Sequence, residues 1–155
     1  MRGEEIRGSI EKRYESCSVA VPREKRIVVS ASKDSVFSLL SFMKEEGFEH
    51  LSFITCVDWL EDNEFELVYH LASYEGGVHA MVKTRIDRDN PVYLSIVPLF
   101  EHAQTYEREL HEMFGVEFTG NDRLTPLLLT NWQEIPPMRR DFDTKEYSER
   151  MFEHE

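Results

Sequence analysis

The sequence predicts an α+β fold of two layers, in which helices pack on one face of a mostly antiparallel sheet and an extended C-terminal tail follows. Apolar residues recur at helical spacing at the start of the chain and again after residue 99, while residues 51–86 alternate with period two. Consecutive strands joined by short turns favour antiparallel pairing. Separate runs of helices and strands are typical of α+β domains.

Two helices and a strand are predicted before residue 50. Apolar residues four positions apart predict a short first helix: Ile6, Ile10 and Tyr14. Residues 26–30 have the composition of a strand, and Pro22 before them marks a loop. A second helix is predicted from a cap at Ser32 to Gly47, with four residues facing inward: Val36, Leu39, Leu40 and Met43.

Three strands and a short fourth are predicted between residues 51 and 97. The first ends at Asp58 and Trp59, with alternate residues on one face: Leu51, Phe53, Thr55 and Val57. The second has the same pattern: Phe65, Leu67, Tyr69 and Leu71. Gly76–Gly77 predicts a tight hairpin turn into the third, residues 78–86. Residues 92–97 form the short strand.

The last predicted helix runs from Leu99 to a capping glycine, Gly115. Its apolar face consists of Leu99, Ala103, Tyr106, Leu110, Met113 and Phe114. Glu107 lies at the edge of this face, where a partly desolvated carboxylate needs a cation or a backbone donor. Arg108 and Glu112 lie on the opposite face, and in an ordinary surface helix they would form a solvated ion pair.

The chain after the helix is irregular but remains apolar. Two divisions are therefore predicted: an α+β core over residues 1–118 and an extended, partner-docking tail over residues 119–155. Such a length without predicted structure is unusual for a loop. Its apolar side chains need a surface to cover them, either on this domain or on another subunit.

Composition excludes several classes of protein. Thirty acidic residues against 18 basic ones give a net charge of −12, which opposes binding to nucleic acid. Two cysteines, Cys17 and Cys56, cannot supply a zinc finger or an iron–sulfur ligand set. No run is apolar enough to span a membrane, and the first residues do not resemble a signal peptide. A cytoplasmic protein that reaches a membrane only through partners is expected.

Catalytic chemistry has weak support. Glu107 and His111 have the spacing of two metal ligands on a helix, but Gly115 replaces the second histidine of the zincin pattern. His70 and His79, on neighbouring strands, are interpreted as a surface pair without function. Because no phosphate-binding loop or nucleophile motif is present, no chemistry of its own is expected.

A specific resemblance begins at residues 107–118, ERELHEMFGVEF. This stretch resembles the signature E-R-E-x-x-D-x-x-G-[IV]-x-F of the thirty-kilodalton (C) subunit family of respiratory complex I. Related subunits occur in membrane-bound, energy-converting [NiFe] hydrogenases. The family's downstream motifs also have counterparts here: residues 120–129, Trp132 and the P-M-R-R-D-F of residues 137–142. Residues 51–59 resemble a family strand that ends in V-D-[YW].

The resemblance implies a non-catalytic structural subunit of the peripheral arm of a membrane-bound, ion-translocating oxidoreductase. That complex would be an energy-converting hydrogenase or a complex I-like NADH/quinone dehydrogenase. The implied partners are its large hydrogenase-like subunit and its iron–sulfur subunit, and the implied location is peripheral, on the cytoplasmic side of the membrane. No cofactor is expected in this chain. Iron–sulfur clusters, with nickel–iron as an open alternative, would belong to partner subunits.

The residues expected to dock on the partner lie in the helix and the tail. They are Glu107, Arg108, Glu109, Met113, Phe114, Trp132, Arg139, Arg140, Asp141 and Phe142. Arg139 and Arg140 would pair with partner carboxylates, or with Glu107 and Asp141 of their own chain. Two alternatives remain open: a free-standing metal-dependent enzyme that uses Glu107, His111 and a histidine of the sheet, and a soluble adaptor without a redox partner.

Overall fold

A central sheet of five strands organises the computed structural model, which describes residues 3–132 and 134–152. The strands are β1 Ser18–Arg23, β2 Arg26–Ser30, β3 His50–Trp59, β4 Glu64–Ser73 and β5 Val78–Asp87. Their order in the sheet is β1-β2-β5-β4-β3. Only β2 and β5 pair in parallel, so the sheet is mostly antiparallel, as the sequence predicts.

The helices are α1 Gly3–Arg13, α2 Val36–Glu45, α3 Ala103–Phe114 and α4 Thr144–Phe152. The first three add buried side chains to a core that they share with the inward residues of the strands. The α+β fold with helices on one face of the sheet is therefore confirmed. α2 and α3 begin three and four residues later than predicted, at Val36 and Ala103, and Gly115 ends α3 with a left-handed φ of 79°.

β1 and α4 were not anticipated by the sequence prediction, which placed Pro22 in a loop. Pro22 is tolerated in β1 because this is an edge strand whose register shifts between Ala20 and Arg23. α4 has no buried residue, and it lies in the charged end of the chain, for which the sequence predicts an extended tail.

The predicted assignment of inward and outward side chains in β3 is wrong after the second residue of the strand. A shift in register between Leu51 and Phe53 reverses the alternation, so that Ile54, Cys56 and Asp58 are buried. Phe53 and Val57 are instead 39% and 38% exposed. One extra residue in a strand moves every later side chain to the other face.

Two short strands form a second sheet beside α3. β6 Val92–Leu94 and β7 Glu117–Thr119 pair in parallel, with Tyr93 opposite Phe118. The strand predicted at residues 92–97 is thus shorter and lies outside the main sheet. β7 spans the predicted boundary between residues 118 and 119.

Residues 120–143, called the C-terminal segment below, connect β7 to α4. The described part of this segment contains no helix or strand, and it lies against its own core through contacts set out below. Within the described residues, no helix has the length and apolar character needed to cross a membrane.

Candidate docking site

Glu107 is fully buried in α3, not at the edge of its apolar face as predicted. The backbone N–H of Ile96 donates to its Oε1, while the Ser95 hydroxyl and the Asn121 amide donate to its Oε2, each at 2.8 Å. Burial raises the pKa of this carboxyl, and the three donors oppose that rise. Glu107 pairs with neither Arg139 nor Arg140. Its contacts join α3 to the residues around β6 and β7 instead.

Arg108 and Glu112 hold the C-terminal segment on the outer side of α3. The Arg108 guanidinium donates to the carbonyls of Thr125 and Pro126 at 3.1 and 2.8 Å. The Glu112 carboxylate accepts three backbone N–H groups at 2.8–3.1 Å, from Leu127, Leu128 and Leu129. The expectation of a solvated ion pair between Arg108 and Glu112 is therefore wrong, because both side chains bind main-chain groups of the segment.

Burial raises the pKa of Glu112, but the three N–H donors and Arg108 outweigh it, and the pKa lies below its usual value. A carboxylate that accepts several backbone donors is held in its charged form. The charge on Glu112 is therefore part of what keeps the segment on the helix.

Asp58 and Arg88 form a buried ion pair where β3 and β5 end. Arg88 donates to both Asp58 oxygens, at 2.7 and 3.1 Å, and the two side chains are only 2% and 6% exposed. The same guanidinium donates to Asp141 at 2.6 Å. The backbone N–H of Arg140 donates to Asp58 at 2.8 Å. This cluster therefore fastens the far end of the C-terminal segment to the sheet.

These contacts decide the protonation of the cluster. Burial raises the pKa of Asp58, but Arg88 and the N–H of Arg140 outweigh it and lower the net value. The hydrogen bond from Arg88 lowers the pKa of Asp141. The carboxylates of Asp58 and Asp141 raise the pKa of Arg88. All three groups are charged at neutral pH.

Arg139 binds its own chain. Its Nε donates to the Phe114 carbonyl at 2.8 Å, and its guanidinium lies 5.1 Å from the centre of the Phe65 ring. The segment passes close to Gly115, where an added Cβ would lie 3.0 Å from Pro136 and 3.1 Å from Arg139. Both the left-handed φ and this close approach require glycine.

Arg140 and the aromatic residues lie nearer the surface. The Arg140 side chain is 53% exposed and donates to Glu61 at 2.9 Å. Trp132 donates its indole N–H to the Ile135 carbonyl and packs against Phe142 and Tyr147, with ring centroids 5.6 and 5.1 Å apart. Tyr147 is part of α4, so this cluster connects the helix to the segment.

The segment turns several apolar side chains toward solvent. Leu128, Ile135 and Met138 are 66%, 45% and 58% exposed. The backbone is fixed to the core at two of these residues, at Leu128 by Glu112 and at Met138 by the Met113 carbonyl. Ordered apolar side chains of this kind indicate an interaction surface.

The predicted docking residues differ in their exposure. Glu107 and Phe114 are buried within this chain. Arg108, Arg139, Arg140 and Asp141 bind their own chain, and Arg140 and Asp141 are also exposed, as is Glu109. Met113, Trp132 and Phe142 are partly buried, so part of each remains at the surface.

Sequence reasoning missed Arg88, and it expected the apolar side chains of the segment to be covered without naming Leu128, Ile135 or Met138 as docking residues. Arg88 belongs to the polar run DRDN after β5, where nothing local distinguishes it from a turn residue. Asp58 gave no signal either, because the predicted alternation of β3 turns its side chain outward and only the register shift brings it inward toward Arg88.

A metal site at Glu107 and His111 has no support in the geometry. Glu107 is occupied by Ser95, Ile96 and Asn121, whereas His111 Nδ1 lies 3.0 Å from the Val116 carbonyl. Within residues 3–132 and 134–152, no group of three or more His, Cys, Asp or Glu side chains is placed to hold a metal ion.

The family model described as "Respiratory-chain NADH dehydrogenase, 30 Kd subunit" matches residues 29–148. The chain belongs to this family. The match includes the helix motif, the C-terminal segment and the Asp58–Arg88–Asp141 cluster, so the features that hold the segment in place lie within the family region. The resemblance seen in the sequence is confirmed.

Curated relatives carry consistent names. The chain is 35% identical to the (C) subunit of the F(420)H(2) dehydrogenase of Methanosarcina mazei over 124 residues, 76% of each chain. It is 36% identical to the (C) subunit of the NADH-quinone oxidoreductase of Moorella thermoacetica over 110 residues, 70% of this chain and 74% of that one. The mitochondrial 30.4 kDa subunit of the NADH-ubiquinone oxidoreductase of Neurospora crassa is 37% identical, but the match spans only 42% of its length.

Two solved structures share the fold. A chain in the structure of the membrane-bound sulfane sulfur reductase, an archaeal respiratory membrane complex, is 37% identical with a TM-score of 0.90. The alignment covers 97% of this chain and 91% of that one. A trypsin-resistant fragment of Nqo5 is 23% identical, with a TM-score of 0.66 over 77% of this chain and 98% of the fragment. At that identity, Nqo5 shows the fold alone.

Proposed function

We propose that this chain is a non-catalytic structural subunit in the peripheral arm of a membrane-bound, ion-translocating oxidoreductase, and that it docks on the large hydrogenase-like subunit. Its membership of a family of respiratory-complex subunits supports the coarser part of this proposal. The names of its relatives, subunits of F(420)H(2) and NADH-quinone dehydrogenases, point the same way. Electrons would pass through iron–sulfur clusters of neighbouring subunits, on the cytoplasmic side of the membrane.

One observation carries the docking role: the charged residues of the two motifs hold the C-terminal segment on the core. Glu112, Arg108 and Arg139 bind its backbone or anchor it to α3, and Arg88 binds Asp141. Leu128 and Met138, whose N–H groups donate to Glu112 and to the Met113 carbonyl, are consequently held with their side chains exposed. A surface that is already ordered loses less conformational entropy when a partner binds.

The docking role is tested by placing a charge in this surface. The chain is co-expressed with the large hydrogenase-like subunit of its own complex, and the fraction that co-elutes on size exclusion is measured. We expect Leu128→Glu to weaken the complex at least tenfold, because a buried, unpaired carboxylate would face an apolar partner surface. Thermal unfolding of the isolated variant should stay within a few degrees of wild type, since Leu128 is mostly exposed.

Leu94→Glu is the matched control. Leu94 is also exposed, at 47%, but it lies on β6, where it pairs with Thr119 of β7, and it does not belong to the segment. We expect this variant to assemble like wild type. If Leu128→Glu assembles as well as Leu94→Glu, the segment is not the docking surface.

A further inference from the structure

A groove crosses the face of the sheet opposite to α1, α2 and α3. Its volume is about 360 Å³, and its floor includes Val28, Phe53, His70 and Met81 from four different strands. Pro22 on β1 closes one end. Since neighbouring strands lie about 4.8 Å apart, the groove extends roughly 19 Å across the five strands. That is the length of about six extended residues, so its shape suits a polypeptide segment.

The rings in this groove form a row. Phe53 and His70 lie parallel, with centroids 4.8 Å apart and planes inclined by 9°. His79 follows at 5.3 Å from His70. The buried Nδ1 of His70 has no hydrogen-bond partner in the described part of the chain. Burial, with His79, Arg26 and His50 nearby, lowers the pKa of His70. The groove therefore offers a polar atom and flat apolar faces that the chain itself does not use.

The two ends of this face of the sheet differ in the pairing of their charges. At the end away from the groove, Arg85 pairs with Asp62 and Glu64 at 2.9 and 2.8 Å, and Lys83 lies 3.8 Å from Glu66.

In the groove, Arg26, His70 and His79 are lining residues, and no carboxylate is among them. Arg26 makes no ion pair with any described residue. In a chain of net charge −12, an unpaired cation beside apolar rings favours an anionic partner.

The groove is separate from the docking site of the C-terminal segment. Phe65 lies beside Arg88 and Arg139, which hold the segment. It belongs to β4, as does His70 of the groove. Five residues of strand separate them by roughly 17 Å, and their side chains point to opposite faces. A partner seated in one site leaves the other available.

We infer that this groove binds an extended segment of a neighbouring subunit of the complex, one that carries an Asp or Glu carboxylate between apolar side chains. The carboxylate pairs with Arg26 and accepts a hydrogen bond from the His70–His79 pair. Its apolar neighbours cover Phe53, Val28 and Met81. This contact lies beyond the proposed docking function and joins the chain to a second polypeptide surface.

The inference is tested in the intact, purified complex. The photoreactive residue p-benzoyl-phenylalanine replaces Met81, and the crosslinked peptide is identified by mass spectrometry. We expect one peptide of another subunit, with an acidic residue next to apolar ones. A crosslink to lipid, to a second copy of this chain or to a peptide without a carboxylate overturns the inference, as does the absence of any crosslink.

Charge reversal supplies the quantitative arm of the test. Arg26→Glu should lower the crosslink yield at position 81 at least fivefold, whereas Arg23→Glu should change it less than twofold. Arg23 faces Arg26 in the strand pairing but does not line the groove. Equal effects of the two variants overturn the inference. Should Arg26→Glu fail to fold, Arg26→Gln must still reduce the yield more than Arg23→Gln does.

The same preparations separate this inference from the docking proposal. Co-elution with the large subunit reports on Leu128, whereas the crosslink at position 81 reports on the groove. Loss of either signal alone identifies which of the two assignments is wrong.

Discussion

At the scale of single residues, the fold depends on charges that are buried and fully paired. Asp58, Arg88 and Glu107 are each less than a tenth exposed. Asp58 and Arg88 satisfy each other, and Glu107 is satisfied by three neutral donors. Removing one member of such a group leaves the remaining charge or donors without partners, and this costs far more than the loss of an exposed ion pair.

Replacing Arg88 by glutamine therefore should destabilise the protein strongly. The Asp58 carboxylate would stay buried without its cation, and the expected loss in free energy of unfolding is roughly 3–5 kcal/mol. Urea denaturation measures it. Arg85→Gln is the matched control, because the Arg85 side chain is 37% exposed and its shortest ion pairs are with the exposed Asp62 and Glu64, so its loss should stay within about 1 kcal/mol. Equal losses would contradict the assigned role of Arg88.

At the scale of elements, the bulge at the start of β3 decides which side chains enter the core. Ser52 is the extra residue, and its carbonyl accepts the Tyr106 hydroxyl at 2.7 Å. The neighbouring Leu51 carbonyl lies 2.8 Å from His102 Nε2. The start of α3 thus holds the irregular part of the strand in place, and Asp58 points inward toward Arg88 as a result.

Deleting Ser52 should consequently be far more damaging than altering its side chain. Without the extra residue, Phe53 and Val57 would turn inward and Asp58 outward, and the free energy of unfolding should fall by roughly 3 kcal/mol or more. Ser52→Ala keeps the carbonyl and should stay within about 0.5 kcal/mol of wild type. Chemical denaturation followed by circular dichroism distinguishes them. Wild-type stability in the deletion variant would show that the bulge does not set the register.

The same elements show how far the sequence can be interpreted. Regular periodicity correctly predicts α1, α2, β2 and most of α3, because each depends on neighbours a few positions apart. The hairpin between β4 and β5 is present, but its loop has four residues, 74–77, and not only the two glycines. The bulge in β3 depends on a single extra residue that leaves no local signature. The burial of Glu107 depends on donors 11–14 positions away, and the Asp58–Arg88 pair joins residues 30 positions apart. Such contacts become visible only once the strands are placed.

At the scale of the whole molecule, the C-terminal segment is part of the folded domain. Its backbone is bound by Glu112, by Asp58 and by the Met113 carbonyl. Three of the carboxylates that hold it have lowered pKa values: Asp58, Glu112 and Asp141. Their stabilisation is present above the unfolded-state pKa values, about 4, and is lost as the pH falls through the folded-state values.

The contribution of Glu107 to stability depends on pH in the opposite direction. Because its folded-state pKa is raised, its contribution is greatest when it is protonated and declines as the pH rises through that value. Acid release of the segment is therefore governed by the first three carboxylates and not by Glu107.

Amide hydrogen exchange of the isolated chain tests this description. At pH 7 the N–H groups of residues 127–129 and of Arg140 should exchange slowly, and their protection should fall, after correction for intrinsic rates, as the pH drops below about 4. Glu112→Ala should remove protection at residues 127–129 at neutral pH, because these three amides lose their shared acceptor.

Glu109→Ala provides the comparison, since Glu109 is an exposed glutamate on the same helix. It should leave the exchange rates of residues 127–129 unchanged. Unprotected amides in the wild-type chain at pH 7 would mean that the segment is not held on the core without a partner.

The absence of a side chain at Gly115 has a wider consequence. A Cβ added there would lie 3.0 Å from the ring of Pro136 and 3.1 Å from the guanidinium of Arg139, so these two side chains would have to move by a few tenths of an ångström to admit it. The spacing between the end of α3 and the segment that passes it therefore depends on a residue that has no side chain of its own.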